Sequence, residues 1–235
     1  MSLSWAAKRQ LIILVILAII ILLVFSVVIY SFIKKTLSTD DVSSPAVAQD
    51  ISILWERVFA SREGSVDAAA LLENPNRNFG AKKFVYTFRI YDKNNILIVI
   101  KENETFINPG EKFIVFEPNI SVQNREPRKT IFEIRSLNWE SMEPMPILQI
   151  DTLSKNILFD NEMPRAELTI KNQANKSYDN IEAVLVLFSA SGDAVATSRT
   201  VIDQILIGEE KRLVFTWPWK VSNIESSQIF FRKLP

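Results

Sequence analysis

The stretch KKFVYTFRIYD, residues 82–92, decides the fold. Phe84, Tyr86, Phe88 and Ile90 occupy alternate positions, with Lys83, Val85, Thr87 and Arg89 between them. Successive side chains of an extended strand point to opposite faces, so this alternation predicts a strand with one aromatic, buried face. Asp92 follows, ahead of Lys93-Asn94-Asn95, and a short acidic side chain there can cap backbone N–H groups and open a turn. Beyond the turn, residues 96–100 (ILIVI) form a continuous, largely β-branched run. The same texture extends both ways. Val66, Ala68, Ala70 and Leu72 alternate upstream, and residues 112–117 and 129–135 form further short runs downstream. Asn74-Pro75-Asn76, Asn108-Pro109-Gly110 and Glu126-Pro127 punctuate them. Short strands separated by such turns predict an all-β sandwich.

The pattern then recurs. Leu72-Glu73-Asn74 is answered by Ile170-Lys171-Asn172, Pro109-Gly110-Glu111 by Ile207-Gly208-Glu209, and Ile131-Phe132 by Ile229-Phe230, each 98 residues on. Phe88-Arg89-Ile90-Tyr91 matches Leu185-Val186-Leu187-Phe188 at 97, and Phe116 matches Phe215 at 99. Shared anchors at one offset, with drifts of one residue, predict two tandem copies of one β domain, over residues 51–145 and 146–235. Gly110 and Gly208 are expected where a turn needs positive φ.

The Phe88-Arg89-Ile90-Tyr91-Asp92 string, followed by an Asn-containing turn and a later Pro-Gly-Glu before an apolar strand, resembles the FxLYD domain. That is a small immunoglobulin-like sandwich of bacterial envelope proteins. The second copy is degenerate, since Leu185-Val186-Leu187-Phe188-Ser189 lacks the leading Phe, the Tyr and the Asp. The resemblance implies a fold and an extracytoplasmic setting, and brings no catalytic residues with it.

Residues 11–33 are apolar throughout except for Ser26, Tyr30 and Ser31, and carry no charge. As a helix they would extend about 34 Å, enough to cross a hydrocarbon core of about 30 Å. A core helix of a soluble domain would carry a polar stripe, which this run lacks. A signal peptide would have a shorter apolar region and a nearer cleavage site than Ala46-Val47-Ala48. An uncleaved transmembrane helix is therefore expected, in contact with the lipid bilayer, with Trp5 and Tyr30 at its interfaces. Residues 1–10 form a short cytoplasmic tail in this scheme. Residues 34–50, rich in Ser, Thr, Asp and small side chains, form a flexible stalk. Lys8 and Arg9 nearly balance Lys34 and Lys35, so the orientation rests on the short N-terminal tail and the extracytoplasmic look of the remainder. The N-terminus is expected inside and the domains outside.

Twenty-seven basic residues balance 27 acidic ones, and no segment forms a basic patch, which argues against a nucleic-acid partner. Cysteine and histidine are both absent, removing thiolate and imidazole catalysis and histidine metal sites. Glu102 and Glu104 share a strand face and Glu209 and Glu210 are adjacent, but solvated strand charges explain both. Asp92-Lys93-Asn94 lacks the Gly and Glu of a calcium loop, those positions being Leu97 and Asn103. No catalytic, cofactor or metal residue is assigned.

Among the tryptophans, Trp139 has no counterpart in the second copy and is expected to pack between the domains. Leu213, Phe215 and Trp217 should share a buried face, whereas Pro218 ends regular pairing. Trp219 is thereby freed into a loop as a candidate partner contact. The expectation for the whole chain is an all-β protein of two tandem immunoglobulin-like β-sandwich domains behind a single transmembrane α-helix. It would be a non-catalytic binding, spacer or assembly module of the cell envelope, with an envelope protein or polysaccharide as partner. The alternatives are a bitopic subunit of an envelope machine (secretion, pilus or division type) and, remotely, a carboxylate-dependent envelope hydrolase.

Overall fold

In a computed structural model, the structure describes residues 22–30, 47–123, 125–160 and 163–235. Residues 22–30 form a helix of exposed, mostly apolar side chains. Inside it the Ser26 hydroxyl donates to the Leu23 carbonyl at 2.8 Å. The rest of the expected membrane span (11–21 and 31–33), Trp5 and most of the stalk lie outside the described residues. Among the described residues no helix is long and apolar enough to cross a membrane.

Everything from Ser52 onward is built of strands: β1 (Ser52–Ala60), β2 (Ser65–Glu73), β3 (Phe79–Asp92), β4 (Leu97–Ile107), β5 (Lys112–Ser121), β6 (Pro127–Leu137) and the short β7 (Glu140–Ser141). Then follow β8 (Ile150–Asp160), β9 (Met163–Asn172), β10 (Tyr178–Phe188), β11 (Ala194–Ile205), β12 (Glu210–Thr216) and β13 (Ser226–Lys233). The first set pairs as β1-β2-β5 and β4-β3-β6, with β7 adding to β3. The second pairs as β8-β9-β12 and β11-β10-β13, which is the same wiring. Every ladder is antiparallel. The fold is all-β, and the repeat seen in sequence is a repeat of topology.

Each pair of sheets encloses its own core. Phe84, Tyr86, Phe88 and Ile90 of β3, the predicted aromatic face, pack against Ala68, Ala70 and Leu72 of β2 and Phe113 and Val115 of β5. In the second set Ile181, Ala183, Leu185 and Leu187 of β10 face Ala166, Leu168 and Ile170 of β9 and Leu213 and Phe215 of β12. Aromatic rings dominate the first core, where Tyr86 stacks on Phe132 with centroids 5.3 Å apart and Phe88 meets it edge-on at 5.0 Å.

The corner shared by both copies explains the sequence anchors. Asn74, 1% exposed, donates through Nδ2 to the carbonyls of Phe79 and Asn108, and its backbone N–H donates to Glu111. Asn172, fully buried, serves Lys176, Ile205 and Leu206 in the same way, with its N–H on Glu209. Gly110 and Gly208 take positive φ, 65° and 69°, in the two equivalent turns. Buried polar groups must be paired, so a side chain that satisfies several loop carbonyls at once is difficult to replace.

Two alignments inferred from the sequence shift in the structure. Phe215 lies opposite Ala166, and the corresponding partner of Ala68 on β5 is Glu117. Phe116 therefore lies on the other face and outside the first core. Phe132 faces the first core, whereas Phe230, equivalent by offset, points outward from the second. The apolar run at 96–100 leads into β4, an edge strand, and Ile96, just before it, and Ile100 are half exposed at 55% and 49%.

A third apolar cluster joins the two sets. Phe59, Ala69, Leu71 and Ile114 from β1, β2 and β5 pack against Val184, Val186, Ala194 and Phe230 from the second set, with Trp55, Phe116 and Phe188 at the margin. Ala48–Pro235 thus forms one compact unit.

Trp217 is 1% exposed and among the largest fully buried side chains, as its alternation with Leu213 and Phe215 predicts. Replacing it by alanine is expected to cost about 3–5 kcal/mol in denaturant unfolding, as large aromatic truncations in cores do.

Candidate functional site

A sandwich of two three-stranded sheets has two seams, where edge strands of opposite sheets face each other. In the first set these are β4 with β5, and β1 with β6. The two seams have different fates.

The β4–β5 seam is closed by the second set. Arg232 of β13 is 5% exposed, and its guanidinium lies 3.6 Å from the ring centroid of Phe106 and 3.8 Å from that of Phe113. Its Nε donates to Glu111 Oε1 at 3.0 Å, Nη1 to Thr105 Oγ1 at 3.1 Å, and Nη2 to the Phe106 carbonyl. Burial pushes the Arg232 pKa down while Glu111 and Glu182 push it back up. Arginine does not deprotonate in proteins, so the charge persists and must be compensated where it lies.

Beside it is a polar cavity of about 150 Å³ lined by Tyr86, Asn103, Glu117, Glu182 and Arg199 among others. The Tyr86 hydroxyl donates to Glu117 Oε1 at 2.6 Å, and Asn103 Nδ2 donates to the same oxygen at 2.7 Å. Lys101 Nζ lies 3.7 Å from the other carboxylate oxygen. Burial, and then the hydrogen bond to Glu117, push the Tyr86 phenol well above its ordinary pKa, so it remains a donor. Arg199 bonds Glu182 at 3.2 Å and lies over the Phe116 ring. Of these contacts, only Arg199 over Phe116 passes between the two sets of sheets.

At the β1–β6 seam the two edge strands approach each other directly. A cavity of about 620 Å³ runs along β1 and is bounded across the seam by Arg128, Lys129 and Thr130 of β6. A second, of about 480 Å³, shares Val58 and Arg128 with it and reaches Lys93 and Arg125 at the end of the sandwich. Arg57 is held by Asp193 at 2.8 Å and Arg125 by Asp92 at 2.6 Å. Arg128 and Lys93 make no ion pair among the described residues. Burial raises the Glu56 pKa, and Arg57 and Lys129 oppose that. Thr130 is 4% exposed, and its Oγ1 is buried without a hydrogen-bond partner.

Of the residues singled out in the sequence, Trp139 is half-buried against the first core, and the joint is formed by the other side chains named above. Trp219, past the end of β12, is half-buried against the second core. Glu104 pairs with Lys83 at 2.5 Å, and Glu210 with Lys171 at 3.2 Å. Among the described residues no three acidic side chains gather to hold a metal. Asp92 performs its turn duty, accepting from the backbone of Asn94 and Ile96, both at 2.9 Å. Neither seam was singled out from the sequence. Arg232 lies near the C-terminal end of a strand, and nothing local marks it as buried.

No family model and no curated protein matches the chain. Among solved structures, the crystal structure of red sea bream transglutaminase aligns over 80% of this chain at 9% identity, with a TM-score of 0.22. The alignment spans 32% of that enzyme's chain.

Two predictions arise from these contacts. Arg232→Ala leaves Glu111 without its buried partner and opens the joint, and is expected to cost about 3–5 kcal/mol. Calorimetry should then resolve two unfolding transitions where the parent shows one. The second concerns acid stability. Backbone bonds from Ile96 and Asn94, with Arg125, hold the Asp92 carboxyl below its ordinary value of 3.8. Its contribution is therefore full above that value and is lost as pH falls through the lower, folded value. Asp92→Asn keeps the turn acceptor but not the charge, so chemical denaturation should find it weaker at neutral pH. The difference from the parent should shrink as the medium is acidified.

Proposed function

We propose that this protein is a single-pass, membrane-anchored, non-catalytic binding and spacer module of a cell envelope. Residues 11–33 would cross the bilayer, 34–50 would form the stalk, and two immunoglobulin-like domains, 51–145 and 146–235, would stand outside. The apolar run supports the anchor by length and lack of charge, and the internal hydrogen bond of Ser26 suits a helix in hydrocarbon. The resemblance of residues 88–92 to the FxLYD signature supports the extracytoplasmic setting by analogy only.

The observation that carries the binding and spacer role is the joint. Two sandwich-like units linked only by a loop would move independently, and their spacing would mean little. Here an apolar cluster and a buried, multiply bonded arginine hold them together. A held geometry lets a tethered module present a surface at a set distance from its anchor.

The test is topology. Protease added to intact cells or spheroplasts should remove the β-strand region and leave a small membrane-embedded fragment. Protection until lysis would place that region on the inner side and overturn the envelope assignment.

A further inference from the structure

We propose that the apolar linker run Pro144-Met145-Pro146-Ile147 rests on the surface of the bilayer to which the chain is tethered. This depends on the protein's being membrane-anchored, and adds which end of the β-strand region meets the lipid.

The β-strand region is entered at Gln49, and that entry is clamped. The Gln49 N–H donates to Asn76 Oδ1 at 2.8 Å, and Asn76 Nδ2 donates back to the Gln49 carbonyl at 2.7 Å. The Asn76 carbonyl in turn accepts from the Gly110 N–H at 2.7 Å. Gly110 and Pro109 of that corner line a cavity of about 260 Å³ together with Met145, Pro146 and Ile147. Upstream, the linker is fastened to the same end, because the Met142 N–H donates to the Asn78 carbonyl at 2.9 Å. The entry from the stalk and the apolar run are therefore neighbours.

Residues 144–147 are exposed without interruption, Ile147 at 88% and Met145 at 43%. The two prolines carry no backbone N–H, so an interfacial site has fewer donors to desolvate. Charge around the run is mixed: Lys112 and Glu143 are both exposed, and Lys233 pairs with Asp179 at 3.0 Å. The contact is accordingly apolar, not electrostatic.

Tether length favours this end. As the proposed stalk, residues 34–46 would span about 20 Å as a random chain. The 14-residue β3 starts at this end, at Phe79, and carries the Asp92 turn roughly 45 Å away. The linker is thus confined near the bilayer, and a contact made within that confinement costs little further freedom.

The chain has no cysteine, so a single introduced one takes a fluorophore at one place. The full chain is reconstituted in phosphatidylcholine vesicles holding a lipid spin-labelled just below its headgroup. Bimane is attached at Ile147→Cys or, at the far end, at Asn94→Cys in the exposed turn after β3. Spin-labelled lipid should quench position 147 at least about threefold more than position 94, and aqueous iodide should do the reverse. Raising the salt should leave the difference unchanged. Met145→Asp in the chain labelled at 147 should bring its lipid quenching down to that of position 94. Equal lipid quenching at 147 and 94 would overturn the proposal, and so would quenching at 147 that Met145→Asp leaves intact, since the tether alone would explain it. Loss of the difference at high salt would mean charge attraction and refute the apolar contact. Protection from iodide without lipid quenching would put a second copy or another protein on the run, and equally refute it. Flotation of the vesicles reads the anchor separately. A chain that does not float fails both readings, whereas one that floats with position 147 open to water fails only this one.

Discussion

A single buried guanidinium sets the relation between the two halves of this protein. Taking an arginine out of water costs several kcal/mol unless the site answers each donor. Arg232 is answered by Glu111, Thr105 and the Phe106 carbonyl, and its flat faces lie against Phe106 and Phe113. These partners come from two neighbouring elements of the first sandwich, so they are assembled only when that sandwich is folded. The second half thus reads the folded state of the first. Glu111 carries both duties at once, since its other oxygen accepts from the backbone of Asn108 in the corner turn.

The joint is heterologous. The outer face of β1-β2-β5 in one copy meets the outer face of β11-β10-β13 in the other, although the copies share one wiring. Such a contact could in principle repeat without limit, because each copy owns both kinds of face. The remaining faces prevent this by chemistry. On the first copy the outer face of β4-β3-β6 presents Lys83, Glu104, Arg89 and Glu133, tied in ion pairs. On the second, the outer face of β8-β9-β12 presents Arg165, Glu167 and Arg212. Neither offers the Val184, Val186 and Phe230 of the buried joint. Charged outer faces of this kind oppose apolar stacking.

Much of the fold was legible because its devices are local. Alternation at 84–90 reports a strand with one core face, and the Asn-Gly-Glu corner repeats because the carbonyls it satisfies repeat. The joint was less legible, although its signal was present. Ala68–Leu72 and Ala183–Leu187 are apolar at every position, and strands buried on both faces read this way. The run at 96–100 has the same appearance yet is half exposed on an edge, so composition alone does not separate the two cases. The burial of Arg232 depends on which edges end up opposite each other, and contacts 100 residues apart in sequence are not encoded in any local pattern.

Glu117 shows what the second half makes possible and what it does not. In the second copy the equivalent position holds Phe215, in the core, opposite Ala166. In the first it holds a carboxylate, opposite Ala68. A lone carboxylate there would be costly, yet Tyr86, Asn103 and Lys101, all from the first copy, already address it. The second copy is therefore not needed to neutralise Glu117. It covers the network instead: Arg199 and Arg232 close the cavity over a group whose hydrogen bonds are already fixed. In that covered, low-dielectric setting the Tyr86–Glu117 bond is strengthened, and its geometry constrains β3 against β5. An apolar residue at 117 would fill the same volume but would leave the Tyr86 hydroxyl without its acceptor. The carboxylate and the tyrosine are thus one choice, made at the seam that the second copy covers.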